Sequence, residues 1–294
     1  MEATETADCT VDASRPQNGI KAKSYRLVSR QEHPEDTIVR VGDVTVGGER
    51  LAIIAGPCAV ESREQVIAAA TAARQAGATL LRGGAFKPRT SPYDFQGLGE
   101  EALEILAEAR ALTGLPLVTE VVDTEDVQLV SRYADVLQIG SRNMSAFRLL
   151  QRAAQTGKPI LLKRGFQASL REYLSSAEYI LAQGNGQVIL CERGIRTFDS
   201  EFTRNTLDLN AVPVLKQETH LPVLVDPSHG TGRADLVPIM ARGAIAVGAD
   251  GIIVEVHPHP SDALCDGTQS LDPLAFAELV TSIRPLAAIL NRSV

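Results

Sequence analysis

The chain has no Trp, only seven Phe and five Tyr, no long apolar run and no surplus of positive charge. A general nucleic-acid binder needs a basic face or aromatic stacking platforms, and a net charge of −7 with so few rings supplies neither. No stretch reaches the ~18 apolar residues of a membrane helix, so no membrane partner is expected. The first residues, MEATETADCTVDASRPQNGI, are acidic and polar rather than basic and then greasy, and a cytoplasmic protein is expected. The four cysteines, at 9, 58, 191 and 265, contain no Cys-x-x-Cys pair and no dense framework, which argues against a zinc ribbon or a disulfide scaffold.

What is present is ordinary globular material: 294 residues, 44% hydrophobic, with mean hydropathy near zero. Residues 1 to 24 lack apolar periodicity and read as a mobile tail. Residues 25 to 48 alternate apolar and polar around DTIVRVGDVTV, the pattern of one or two short strands that plug or pair with the main body. From 49 to 294 one grammar recurs: a short apolar run, a loop, then an amphipathic segment closing in Gly. The runs are LAIIA (51), TLLRG (79), PLVTEV (116), DVLQIG (135), PILLKRG (159), QVILCERG (187), PVLVDPSH (222) and GIIVEVHP (251). Between them, Ala102, Ile105, Leu106 and Ala109 form a helical stripe, and Ser62 with Gln65 and Ser169 with Glu172 have capping-box spacing. Gly77, Gly114, Gly157, Gly184 and Gly248 stand where helices end. Eight buried strands alternating with helices over 246 residues predict an α/β fold, a closed (β/α)8 TIM barrel with a short N-terminal β extension. The competing doubly wound sheet is disfavoured because no Gly-x-Gly-x-x-Gly follows any strand.

A barrel carries its chemistry at the C-terminal strand ends, and nearly every strand here ends in a polar group: Cys58, Arg82, Glu120, Gln138, Lys163, Glu192 with Arg193, Asp226 with His229, and Glu255. Each alone reads as well as a buried thiol or a salt-bridge partner. A full ring of them would leave unpaired charges facing one another in a barrel built for stability alone. Cys58, His229, Glu255 and Asp266 are plausible metal ligands, because the last two strands adjoin the first in a closed barrel. A thiolate, an imidazole and two carboxylates suit one divalent Zn, Fe, Co or Mn ion better than Mg or Ca. His257 and His259 in EVHPHP are rival ligands, discounted because proline-flanked loop histidines usually face solvent.

Cations also gather: Arg82, Lys87, Arg89, Arg142, Lys163, Arg164, Arg193, Arg196 and Arg204 all fall on strand ends or the loops after them. So many in one mouth of an acidic protein imply a polyanionic substrate, although Arg164, Arg196 and Arg204 pair equally well on paper with Glu192, Asp199 or Asp208. The run Lys87-Pro88-Arg89-Thr90-Ser91 offers two cations and two hydroxyls, enough to cradle one phosphate, and Gly83-Gly84 suggests close approach of backbone to ligand.

IAGPC (54–58), LRGGAFKPRTSPYDFQGLG (81–99), QIGSRN (138–143), LLKRG (161–165), ILCERGIRTF (189–198), VDPSH (225–229) and EVHP (255–258) together resemble the metal-dependent 3-deoxy-D-arabino-heptulosonate 7-phosphate (DAHP) synthases of the type I beta kind, over about residues 26 to 290. The related 3-deoxy-D-manno-octulosonate 8-phosphate synthases usually carry Lys-Ala-Asn-Arg where this chain has Lys-Pro-Arg-Thr-Ser. The resemblance implies condensation of phosphoenolpyruvate with erythrose 4-phosphate, the entry step of the shikimate route to aromatic amino acids. It implies a divalent metal on Cys58, His229, Glu255 and Asp266. It assigns phosphoenolpyruvate to Arg82, Lys87, Arg142, Lys163 and Arg193, and erythrose 4-phosphate to Arg89, Thr90, Ser91 and Asp226. Lys87 and Glu120 are candidates for moving protons, with Cys58 and His229 completing the catalytic set. A homotetramer or homodimer is expected on the same ground. Three other readings stand beside it: a condensation of phosphoenolpyruvate with another aldose phosphate, like that of the 3-deoxy-D-manno-octulosonate 8-phosphate synthases, a Schiff-base aldolase using Lys163, and a catalytically silent paralogue acting as a regulatory subunit.

Overall fold

A computed structural model describes residues 25–89 and 91–294. The 1–24 tail expected from composition, and Thr90, lie outside the described residues. Ten strands are formed: β1 Val39–Val41, β2 Val44–Val46, β3 Ala52–Gly56, β4 Leu80–Arg82, β5 Leu117–Glu120, β6 Val136–Ile139, β7 Ile160–Lys163, β8 Val188–Glu192, β9 Val223–Val225 and β10 Gly251–Glu255. Strands β3 to β10 close into one parallel barrel in sequence order, with β10 beside β3 and Glu255 opposite Gly56. Each begins within a residue or so of the apolar run that predicts it. The helices are α1 Arg63–Ala76, α2 Glu100–Thr113, α3 Val127–Tyr133, α4 Phe147–Ala154, α5 Leu170–Leu181, α6 Ala211–Glu218, α7 Pro227–Thr231, α8 Val237–Ala246 and α9 Pro273–Ile289.

Strand side chains alternate between two cores, as a period of two requires. Ile53, Leu81, Leu117, Leu137, Leu162, Leu190 and Val254 face the helices, whereas Ile54, Leu80, Val118, Val136, Leu161, Ile189, Leu224 and Ile253 fill the barrel. Both sets are buried, which is why the strands read as continuous apolar runs. Strands β1 and β2 form an antiparallel hairpin whose Val39, Val41 and Val46 join the interior core, so the extension does plug the barrel. The segment before it is strapped down by Glu178 of α5, whose carboxylate accepts the backbone N–H groups of Arg26, Leu27 and Val28 at 2.9–3.0 Å.

Local signals explain the helix ends. Ser169 and Glu172 form a complete capping box on α5. Ser62 caps α1 by accepting from Gln65 N–H, but the Gln65 side chain turns to Glu61 N–H, so only half of that box forms. The five glycines expected at helix ends all have positive φ. The Asp226-Pro227 pair starts α7, with Asp226 accepting His229 N–H and Pro227 at the first helical position, where its missing donor costs nothing. His229, grouped by sequence with the strand end, therefore sits in a short helical turn just after it.

Candidate active site

At the C-terminal end of the barrel, Cys58 after β3, His229 on α7, Glu255 ending β10 and Asp266 in the next loop each offer one ligand atom, and these four atoms lie within 4.8 Å of one another. Closure of β10 on β3 brings them together. The Cys58 thiol touches Asp266 Oδ2 at 3.0 Å, and His229 Nε2 lies 3.3 Å from Glu255 Oε1 and 3.8 Å from Asp266 Oδ2. This mixed soft and hard donor set fits a divalent transition ion. His257 is buried rather than solvent-facing, but its ring meets Glu61 at 3.3 Å, away from the quartet, and His259 is exposed.

The quartet is fixed by partners of its own. Asp226 Oδ2 receives His229 Nδ1 at 2.8 Å and Lys163 Nζ at 2.5 Å, leaving Nε2 of the imidazole directed at the other ligands. Gln269 donates to Glu255 Oε2 at 2.7 Å, and Arg204 pairs with Asp266 at 3.0 Å while also donating to Gln269. Arg82 donates to Glu255 Oε1 at 2.9 Å. Lys87 donates to the Cys58 sulfur at 3.0 Å. Burial holds the His229 imidazole below the usual histidine value against the pull of Asp226 and Glu255, which favours the neutral, ligating form. The Cys58 thiol is pushed well above the ordinary value by its contact with the Cys265 sulfur, by burial and by the Glu255 charge. An ion that bound there would reverse that balance, since a coordinating thiol gives up its proton.

Above the quartet opens a cavity of about 190 Å³ lined by seven cationic side chains, Arg82, Lys87, Arg89, Arg142, Lys163, Arg193 and Arg204, against three carboxylates, Asp94, Glu120 and Asp266. Counting also Glu255 and Asp226, which pair with Arg82 and Lys163, the site keeps two positive charges in excess in a chain of net charge −7, which marks it for an anion. Arg82 Nε is buried with no hydrogen-bond partner among the described residues. Burial, with the Arg204 charge, lowers the Arg193 guanidinium from its ordinary value despite Asp226, as expected of a cation short of counter-charge. Glu120 lies beside Gly140, where a Cβ would stand 2.1 Å from its Oε1 and push the carboxylate from its present place.

The DAHP synthetase I family profile matches residues 27–288. A phospho-2-dehydro-3-deoxyheptonate aldolase of Thermotoga maritima is 54% identical over 98% of this chain and 83% of its own length. The chain belongs to the DAHP synthetase I family. Its fold matches the crystal structure of a T. maritima DAHP synthase with a TM-score of 0.90 at 55% identity, covering 92% of this chain and 79% of that one. A truncated form of the T. maritima enzyme gives 0.86 at 52% identity, covering 92% and 99%. A 2-dehydro-3-deoxyphosphooctonate aldolase of Nitrobacter winogradskyi is 34% identical over 86% of this chain and 93% of its own.

Within this member of the DAHP synthetase I family, not every residue singled out from sequence lies in the cavity. Asp226, expected near sugar hydroxyls, is wholly buried beneath it with both oxygens engaged by His229 and Lys163. Ser91 lines a neighbouring cavity instead, and its Oγ accepts the Tyr93 N–H in its own turn. Arg89 does reach the mouth, held by Asp94 at 3.2 Å and the Cys265 sulfur at 2.8 Å. Gly83 and Gly84 admit protein rather than ligand: a Cβ on Gly84 would stand 2.5 Å from the Cys58 carbonyl, and one on Gly83 equally close to Leu106. Arg164 is structural, bridging Glu192 and Asp208 at 2.8 Å each below the cavity floor. Three participants are not singled out by the sequence reading: Gln269, Phe166 at the cavity wall, and Cys265, whose sulfur lies 3.6 Å from that of Cys58. Adjacency to Asp266 was the one clue available for Cys265.

Proposed function

We propose that this chain condenses phosphoenolpyruvate with D-erythrose 4-phosphate to give DAHP and inorganic phosphate, the first step of the shikimate pathway, and that it does so with one divalent ion on Cys58, His229, Glu255 and Asp266. The observation that carries this reading is the juxtaposition of that quartet with a cavity bearing seven cationic side chains. The 54% identical heptonate relative, against 34% for the octonate relative, favours erythrose 4-phosphate as the acceptor.

In the reaction, C3 of the enol bonds to the aldehyde carbon, water adds at C2, and phosphate departs from the resulting hemiketal. A divalent ion on the quartet would supply Lewis-acid polarisation of the aldehyde oxygen. Arg82, Lys87, Arg142, Lys163 and Arg193 bind the carboxylate and phosphate of phosphoenolpyruvate, and Arg89 at the mouth takes the aldose phosphate. Two anionic substrates repel one another, and the surplus positive charge offsets that repulsion so that C3 and the aldehyde carbon can approach. Lys87, in the loop after β4, and Glu120, at the end of the neighbouring strand β5, line the same cavity and are the groups through which protons enter and leave. No helix among the described residues is long and apolar enough to cross a membrane. The same reading includes a cytoplasmic location and a homotetrameric or homodimeric assembly.

The test is phosphate release from phosphoenolpyruvate with erythrose 4-phosphate, arabinose 5-phosphate or ribose 5-phosphate, before and after chelation and with Mn²⁺, Co²⁺ or Zn²⁺ restored. Erythrose 4-phosphate is the expected acceptor and chelation is expected to abolish turnover. Preference for arabinose 5-phosphate would overturn the acceptor, full activity after verified metal removal would overturn the ion, and no turnover with any metal would favour the silent paralogue.

A further inference from the structure

Three guanidinium groups from separate positions converge on one aromatic ring. The Cζ atoms of Arg142, after β6, and of Arg193 and Arg196, after β8, lie 5.7, 4.7 and 4.7 Å from the centroid of Phe166. Phe166 follows β7, is half-buried, and its carbonyl accepts the Arg196 N–H at 2.7 Å, which ties the two loops together. Its ring lines the cationic cavity and also an adjoining one over the start of α5.

Among the described residues these three arginines form no ion pair, whereas Arg82, Lys163, Arg164 and Arg204 each hold a carboxylate. The contrast has a physical logic. A carboxylate fixes a guanidinium but cancels the charge that an incoming anion needs. The face of an aromatic ring fixes it by quadrupole attraction and dispersion while adding no net charge. Without such a surface, three like charges around one point would spread apart into solvent, and Arg142 and Arg196 are exposed enough to do so.

We propose that Phe166 is a positioning residue, holding Arg142 and Arg193 in the orientation that grips phosphoenolpyruvate while leaving their charge undiminished. This rests on the substrate reading above. It requires the ring itself and not merely apolar bulk, because an aliphatic side chain has no negative face to offer a cation.

Wild type, Phe166→Leu and Phe166→Tyr are to be compared by calorimetric titration with phosphoenolpyruvate and, in parallel, with inorganic phosphate, alongside steady-state kinetics and thermal unfolding. The expected result is that Phe166→Leu weakens binding of both anions and raises the KM for phosphoenolpyruvate about tenfold. The KM for the aldose phosphate, kcat and the unfolding midpoint stay close to wild type, and Phe166→Tyr restores the wild-type KM. Unchanged anion affinity in Phe166→Leu would overturn the assignment. So would a loss of kcat and midpoint shared equally by both variants, which would mark a structural role. If wild type takes up phosphate but no phosphoenolpyruvate, the substrate reading falls; weakened phosphate affinity in Phe166→Leu would then still uphold the ring's hold on the arginines.

Discussion

Lys163 and Asp226 form a buried ion pair, Nζ to Oδ2 2.5 Å, and the same oxygen receives the His229 imidazole. A lysine that attacks a carbonyl must be free to approach it, and the Nζ of this one is tied to a carboxylate that also orients a proposed ligand. Borohydride reduction in the presence of phosphoenolpyruvate and the aldose phosphate is therefore expected to leave no adduct on the Lys163 peptide by mass spectrometry. A stoichiometric adduct there would establish the Schiff-base reading instead.

Cys58→Ala is expected to lower the affinity of the purified protein for Zn²⁺ or Mn²⁺ by more than about 100-fold, since even outer partners of a metal site are worth 10- to 100-fold. The fold should survive, because the missing sulfur leaves only a small strand-end cavity worth roughly 1 kcal/mol. Competition with a chromophoric chelator measures the first and thermal unfolding the second. Wild-type metal content in the variant would remove Cys58 from the ligand set.

How much of this was legible in the sequence depended on whether a feature is local or assembled. The apolar runs locate β3 to β10 because strands buried on both faces have no polar positions to blur them, and Ser169 with Glu172 spans a single helical turn. The quartet became legible only through the barrel, whose closure brings Glu255 beside Gly56 although the two are far apart in sequence. Phe166 stayed hidden because its surroundings come from two other loops, and no spacing within one segment encodes that. The hold of Asp226 on His229 and Lys163 is not legible in the sequence, because a carboxylate at a strand end looks the same whichever way it turns.

Glu178 accepts three consecutive backbone N–H groups of the segment that precedes the hairpin. Glu178→Ala strands those donors and is expected to cost about 1–3 kcal/mol. Urea denaturation should show the lower midpoint, and trypsin should cut faster after Arg26 and Arg30. An unshifted midpoint would mean that the strap's other contacts, among them Tyr25 with Glu218, Arg30 N–H with the Glu218 carbonyl and His220 with the Leu27 carbonyl, hold it without Glu178.

Acid should weaken the base of the barrel through His220. Its Nε2 meets the Leu27 carbonyl at 2.9 Å, its Nδ1 meets Thr37 Oγ1 at 2.6 Å, and the ring of His33 packs against it at a tilt, 4.4 Å between centroids. Burial holds its pKa below the ordinary histidine value, against the pull of the Leu27 carbonyl and with the His33 and Arg30 charges adding to the depression. Because the unfolded chain takes the proton more readily, the stability contributed by neutral His220 is complete above about pH 6.5 and declines as pH falls toward the depressed folded value. The urea midpoint of wild type should therefore drop more between about pH 7.5 and about pH 5.5 than that of His220→Gln. Equal drops in the two proteins would assign the acid sensitivity elsewhere.

The valines of the β1–β2 hairpin stopper one end of the barrel. Because strand side chains already fill the interior, the stopper shuts out water rather than substrates: its valines keep the apolar floor under the charged rim dry.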